Sequence, residues 1–535
     1  MIFPERRREI TQTKLLVIVS LFFVVFYNVA FFQHVVGVYP VSRQNIGFLL
    51  SLAVGLSAVI MLFMSVISSI YTVKPLVIFF LLLSSVTAYF IDNFDIVFDH
   101  TMIRNIFTTD RDEVADLITL KLVYYLILLG ILPSLVVFKI KIAQISFKKN
   151  ILYKIRDSVV SVIVILGLIL FFSKFYTSFF REHKPLRYYT NPTYYIFSTG
   201  KYIGDILSTD DSIIHPLGLD AQVVRKNGEL KKLIILVVGE AVRADHFSLN
   251  GYPRETNPLL KQEDIINFSK MYSCGTSTAY SVPCMFSAFS KDEYSEKKGK
   301  TNENVLDLLH RTGSIDILWR DNNSDSKGVA VRVPYQDYKQ PENNPLCSDG
   351  ECRDEGMLIG LDQYVEQHQE RDILIVLHQM GNHGPAYYKR YRKEFEKFQP
   401  VCTTNQLEEC SNEEIINSYD NALLYTDYFL SQAIAFLKKY DQSRTAALLY
   451  FSDHGESLGE NSLYLHGLPY NIAPEAQTHI GAFAWFNSNI SKNIPLKMKK
   501  TKDQRYSHDN LFHTLVGLFE VQTKEYKKDM DLSSN

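Results

Sequence analysis

The chain has 535 residues, 47% of them hydrophobic and 21% charged, with a formal net charge of −2 at pH 7. That length gives room for more than one domain. The near-balance of 56 Lys+Arg against 58 Asp+Glu excludes a basic nucleic-acid binder, and the crowding of apolar residues at the front excludes an ordinary soluble protein.

Five apolar runs occupy 15–32, 46–70, 76–91, 118–138 and 159–172. Each approaches the roughly 20 residues that a helix needs to cross a bilayer, the third and fifth being the shortest. Flanking charge orients them. Arg6, Arg7 and Arg8 precede the first run, Lys74 separates the second from the third, and Lys139, Lys141, Lys148, Lys149, Lys154 and Arg156 separate the fourth from the fifth. The alternate loops differ: 34–45 holds one arginine and 92–116 is acidic overall. The basic loops therefore face the cytoplasm, and an odd number of spans puts everything after the fifth run outside. No small-residue cleavage pattern follows the first run, which reads as a retained anchor.

Within the outer loop 92–116, Asn105, Thr109 and Glu113 are spaced four apart. On a short helix lying along the membrane they would share one face, as a polar stripe toward a lipid headgroup or as a solvated surface. The segment 181–224 is rich in Tyr, Phe and Pro, with Tyr188, Tyr189, Tyr194 and Tyr195 close together. It reads as a bridge at the membrane interface or as a packed linker. The division is thus 1–180 transmembrane, 181–224 bridging and 225–535 catalytic.

All six cysteines lie in the outer part: Cys274, Cys284, Cys347, Cys352, Cys402 and Cys410. They form three close neighbour pairs, which an oxidising compartment would convert to disulfides, although six cysteines allow fifteen pairings. Their spacings do not follow a zinc-finger pattern.

Buried strands are expected at 233–239, 372–378 and 445–451, with helices at 304–310 and 413–439, giving an α/β sheet covered on both faces. Sites in such sheets gather beyond the carboxyl ends of the strands, where Glu240, His378 and Asp453 fall. Asp453 and His454 are suitable zinc ligands, followed by Gly455, which would permit a tight turn. His383 and His466 lie in further Gly-containing turns. Four hydroxyls, Thr276, Ser277, Thr278 and Ser281, sit between Cys274 and Cys284 and are candidate nucleophiles for metal-assisted phosphoryl or sulfuryl transfer. Lys327 could offer a positive charge to a phosphate.

The segments 238–245, 273–286, 378–387 and 451–457 together resemble the phosphoethanolamine transferases that modify lipid A, in the alkaline phosphatase superfamily, with a close likeness to the mobile colistin resistance members. The resemblance covers essentially the full chain. It implies an N-terminal five-helix transmembrane domain plus a C-terminal periplasmic α/β domain with an alkaline phosphatase/sulfatase-like αβα sandwich, in the inner membrane of a Gram-negative bacterium. It implies Thr278, the second threonine of Cys-Gly-Thr-x-Thr, as the nucleophile, and one tightly bound zinc ion at Glu240, Thr278, Asp453 and His454. His383 and His466 match residues that bind the substrate phosphate or a second zinc, and one of them would move the proton. Lys327 falls in the phosphate-side segment, and Asn105, Thr109 and Glu113 match headgroup-binding positions.

The implied reaction has two steps. Thr278 takes phosphoethanolamine from phosphatidylethanolamine, releasing diacylglycerol, and a lipid A phosphate then removes it from the threonine. The added amine would offset lipid A charge and weaken polymyxin binding. A monomer in contact with membrane lipids is expected. Phosphoglycerol transfer, or phosphoethanolamine transfer to core sugar or another glycan, are the nearest alternatives. A sulfatase fits less well, since the Cys-Gly-Thr element does not resemble the segment modified to formylglycine.

Overall fold

The computed structural model describes residues 9–108, 117–181, 183–208, 213–225, 228–348, 350–405 and 407–534. The chain divides into two units, Met1–Ile106 with Ile118–Gly204, and Phe107–Leu117 with Asp205–Asn535.

The first unit is helical because its apolar runs are rich in Leu, Ile, Val and Phe and have no other way to pair their backbone groups out of water. Among the described residues three helices are long and apolar enough to cross a membrane: Ile46–Ile67, Val73–Phe94 and Leu120–Lys139. Gln12–Phe26 and Val29–Val38 form a pair bent by 60°, which makes a fourth crossing if the two are one span. The expected unbroken span at 15–32 is therefore interrupted. At the bend Asn28 Nδ2 donates to the Phe23 carbonyl at 2.9 Å and to the Asn191 carbonyl at 2.7 Å, satisfying backbone oxygens around the break.

Of the expected five-helix bundle, the described residues supply three such helices, or four crossings with the bent pair. The fifth apolar run lies in a 25-residue helix, Phe147–Phe171, whose first half carries Lys148, Lys149, Lys154, Arg156 and Asp157. Those charges leave too short an uncharged stretch for it to count among the three or four. Large apolar side chains such as Leu128, Val136, Phe138, Leu166 and Leu170 are exposed on these helices, a distribution that suits lipid rather than water.

The second unit is built on a seven-stranded sheet: β1 Lys231–Gly239, β2 Ile265–Asn267, β3 Ile315–Asp321, β4 Tyr335–Asp337, β5 Asp372–His378, β6 Arg444–Ser452 and β7 Ala482–Phe486. Their order across the sheet is β2-β7-β6-β1-β5-β3-β4. The five strands from β6 to β4 run parallel, and at the other edge β7 pairs antiparallel with both β6 and β2. The three strands expected from sequence are thus its centre, β6-β1-β5. They read as continuous apolar runs because both faces are covered. Ile234, Leu236 and Val238 share one core with residues of the helices Val305–Arg311 and Asp509–Leu518. Leu233, Ile235 and Val237, equally buried, face the other way.

The long helix Asn412–Lys438 contacts β6 and starts at a capping box of Ser411 and Glu414. Disulfides join Cys274 to Cys284, Cys347 to Cys352 and Cys402 to Cys410, which is the sequential pairing. Because β1 and β6 are parallel neighbours, in register from Arg444 opposite Lys231 to Ser452 opposite Gly239, the residues that follow them leave the sheet side by side. That adjacency builds the site.

Candidate active site

Glu240 follows β1, and Asp453 and His454 follow β6. All three are completely buried. Ala241, next to Glu240, holds φ at +56°, a conformation that costs a non-glycine residue of order 1–3 kcal/mol. It is held by its N–H donating to Asp453 Oδ1 at 3.2 Å and its carbonyl accepting from the Tyr419 hydroxyl at 2.7 Å. Leu465, just before His466, is likewise at +63°. Gly455 has a different reason from the expected tight turn: a Cβ there would lie 2.0 Å from the Ala476 carbonyl oxygen, so glycine permits the close approach of that segment.

The four candidate hydroxyls separate by geometry. Thr276 Oγ1 donates to the Leu468 carbonyl at 2.6 Å, Ser281 Oγ accepts from Gly275 N–H at 2.9 Å, and Ser277 Oγ is buried without a protein partner. Thr278 opens the helix Thr278–Met285. Its Oγ1 donates to Glu240 Oε2 at 3.0 Å and lies 3.3 Å from His454 Nε2.

The residues around Thr278 fit a metal ion. His454 Nδ1 faces the Gly455 carbonyl at 2.8 Å, which puts the proton there and leaves Nε2 bare. Nε2 lies 3.4 Å from Glu240 Oε1 and 3.4 Å from Asp453 Oδ2. Both oxygens are buried with no hydrogen-bond partner. A tetrahedral centre with bonds of about 2.0 Å would set its ligand atoms about 3.3 Å apart, close to the 3.3, 3.4 and 3.4 Å that separate His454 Nε2 from Thr278 Oγ1, Glu240 Oε1 and Asp453 Oδ2. Burial, then the neighbouring Asp453, pushes the Glu240 carboxyl well above its usual range, so a bound cation would relieve an otherwise costly pair of buried carboxylates. Glu240, His454 and His466 also each bring one ligand atom within 4.8 Å of the others.

Two supporting residues carry no role assigned from the sequence. Asn323 Nδ2 donates to Glu240 Oε2 at 2.8 Å and to the Gln379 carbonyl at 2.7 Å, fixing the carboxylate. Its only sequence signal is its place just beyond β3. Replacing it by alanine is expected to weaken metal binding about 10- to 100-fold, read by competition of the full-length protein with a chromogenic zinc chelator; unchanged affinity would remove Asn323 from this role. Glu456, completely buried, has Oε2 at 3.1 Å from His466 Nδ1.

His378, the last residue of β5, faces Asp321 Oδ2 through Nδ1 at 2.9 Å. Burial works against its charged form, but Asp321, Asp453 and Glu240 outweigh it and raise its pKa.

The His466 ring lies 4.1 Å from that of His454 and 6.1 Å from that of His383, centroid to centroid. Burial, helped by Arg390, His466 and His454, holds His383 well below the usual imidazole range. Lys327 is not drawn into this group by any hydrogen bond: its Nζ donates to the Ser324 carbonyl at 3.1 Å. Asn105 lies in the helix His100–Thr108 of the first unit. Thr109 and Glu113 lie outside the described residues.

Comparison with known proteins gives two family matches: Sulfatase over residues 232–521 and Phosphoethanolamine transferase EptA/EptB over residues 56–206. Phosphatidylethanolamine transferase Mcr-2 of Escherichia coli is 44% identical over 97% of both chains. Phosphoethanolamine transferase EptA of Escherichia coli K12 is 39% identical over 94% of this chain and 93% of its own. The solved integral membrane protein lipooligosaccharide phosphoethanolamine transferase A from Neisseria meningitidis superposes with a TM-score of 0.94 at 34% identity, covering 98% of this chain and 99% of that one.

Proposed function

The chain belongs to the EptA-type phosphoethanolamine transferase family, and on that premise we propose that it moves phosphoethanolamine from phosphatidylethanolamine to a phosphate of lipid A. It is a multi-pass inner-membrane protein with its catalytic domain in the periplasm, and its product confers resistance to polymyxins. The observation that carries the reading is the placing of Thr278 Oγ1 between Glu240 Oε2 and His454 Nε2, while the neighbouring Thr276 and Ser281 hydroxyls are engaged elsewhere.

Glu240, Thr278, Asp453 and His454 would hold a zinc ion. When bound, zinc supplies positive charge that eases deprotonation of an alcohol and the gathering of charge on phosphorus. In the first step the Thr278 hydroxyl gives up its proton along its hydrogen bond to Glu240, and Oγ1 forms a bond to phosphorus. The bond from phosphorus to the diacylglycerol oxygen breaks, and that oxygen is protonated as it leaves. In the second step a lipid A phosphate oxygen attacks the same phosphorus and Thr278 leaves, recovering a proton.

His466 is suited to the proton transfers. Glu456 orients it through Nδ1, which leaves Nε2 for substrate. His383, kept neutral by its surroundings, is available to bind the phosphate or assist a second zinc, and Lys327 would add charge on the phosphate side. Glu456→Gln is expected to lower kcat roughly a hundredfold while zinc content stays unchanged. A loss of zinc in that variant would instead make Glu456 part of the metal site.

The membrane part is read as five spans, with Phe147–Phe171 as the fifth and its charged first half in the basic cytoplasmic loop. The working division remains 1–180 for the spans, 181–224 for the interface segment and 225–535 for catalysis. Asn105, Thr109 and Glu113 would meet the donor headgroup.

The function is tested by supplying the purified full-length protein with headgroup-labelled phosphatidylethanolamine and lipid A. Label on lipid A together with released diacylglycerol supports the reading. Release of free phosphoethanolamine alone, or label only on core sugar when that is offered, contradicts the acceptor.

A further inference from the structure

Two cations beside the Thr278 loop take no part in the reaction above. Lys291 Nζ lies 3.3 Å from the centroid of the Tyr470 ring, and the Arg505 guanidinium carbon lies 3.6 Å from the centroid of the Tyr272 ring. Burial, joined by Arg505, holds the Lys291 ammonium below its ordinary range, against Asp292 and Asp509, which favour its charged form. Asp509 is engaged by the backbone N–H of Lys291 at 2.8 Å. Among the described residues neither cation forms an ion pair with a carboxylate. A cation resting on an aromatic face keeps donors free for an anion.

The two pairs form one patch, since the Tyr470 hydroxyl is hydrogen-bonded to the carbonyl of Ser273, the residue that follows Tyr272. The patch is tied to the reacting loops. The Tyr470 hydroxyl donates to the Ser273 carbonyl at 3.0 Å, on the segment leading into Thr278. Leu468, two residues before Tyr470, receives the Thr276 hydroxyl, and His466 lies just upstream. On the other side, strand Met271–Tyr272 pairs in parallel with Tyr506–Ser507, which brings Arg505 alongside Tyr272. Arg505 is exposed and Lys291 half-buried. Two cations without carboxylate partners, each held on a tyrosine ring beside the reacting loop, suit an anionic molecule whose phosphate meets their charge.

We propose that Lys291 and Arg505, on the rings of Tyr470 and Tyr272, form a subsite for the phosphorylated sugar end of the acceptor lipid. This rests on the acceptor reading given above. It makes the patch a determinant of acceptor binding, separate from donor cleavage at Thr278.

The test measures transfer by the full-length protein against lipid A concentration at saturating phosphatidylethanolamine. In parallel, Thr278 labelling by phosphatidylethanolamine is measured without lipid A. The double variant Lys291→Gln with Arg505→Gln is expected to raise the apparent KM for lipid A about tenfold and to leave Thr278 labelling unchanged. Lys291→Arg with Arg505→Lys should keep the apparent KM near that of the unaltered protein. Added salt should raise the KM of the unaltered protein more than that of the double variant. An unchanged KM in the double variant overturns the proposal, as does an equal loss of Thr278 labelling, which marks a role in holding the loop. If the unaltered protein labels Thr278 but transfers nothing to lipid A, it is the acceptor reading that fails.

Discussion

Thr278→Ala should abolish phosphoethanolamine transfer, lowering the rate by about 10⁴-fold or more, because the group that carries the transferred phosphoryl is removed rather than weakened. Among the hydroxyls of its segment, Thr278 alone reaches both Glu240 and His454. Thr276 is committed to the Leu468 carbonyl, so it cannot substitute without remaking the loop. Thr276→Ala should therefore leave the covalent intermediate on Thr278 intact, even if the loop shifts and the rate falls. Thr278→Ser should recover a measurable part of the activity. The measurement is headgroup transfer by the full-length protein, with zinc content recorded for each variant. Substantial transfer by Thr278→Ala would require another nucleophile or direct attack by the acceptor.

Removal of the metal should have a comparable effect. Treating the full-length protein with a chelator is expected to take transfer to background, and added zinc should restore it where magnesium does not. An imidazole nitrogen among the ligands favours zinc, and magnesium prefers an octahedral set of oxygens. Asp453→Asn should lower zinc affinity at least about a hundredfold, since Asp453 Oδ2 is buried without a protein partner. The apo protein should also unfold at a lower temperature, because the Glu240 and Asp453 carboxylates remain buried together. Full activity after complete removal of zinc, checked by elemental analysis, would contradict the assignment of Glu240, Asp453 and His454 as ligands.

The candidate site is legible in sequence where a polar residue ends a buried apolar strand. Glu240 after β1 and Asp453 with His454 after β6 stand out because the runs before them are continuous and the polar residues follow abruptly. The residues that support them do not announce themselves. Asn323 lies 83 positions from Glu240 and meets it only because β3 and β1 flank β5. Glu456 directly follows Asp453, His454 and Gly455 in the chain, but its partner His466 is set by the path of the following loop. The edge strands β2 and β4, of three residues each, are too short to carry a period. In the membrane part, hydropathy located the apolar runs but not the 60° bend after Phe26, where long-range hydrogen bonding through Asn28 to Asn191 accompanies the break.

A covalent route requires that phosphoethanolamine pass through Thr278 on its way from one lipid to another. A pulse and chase on the full-length protein tests it most directly. Labelled phosphatidylethanolamine is supplied first, the protein is separated from lipid, and lipid A is then added. One phosphoethanolamine mass is expected on the peptide bearing Thr278 after the pulse, and its disappearance into lipid A during the chase. A label that never resides on the protein, that resides on Thr276, or that leaves only as free phosphoethanolamine when lipid A is present would contradict it.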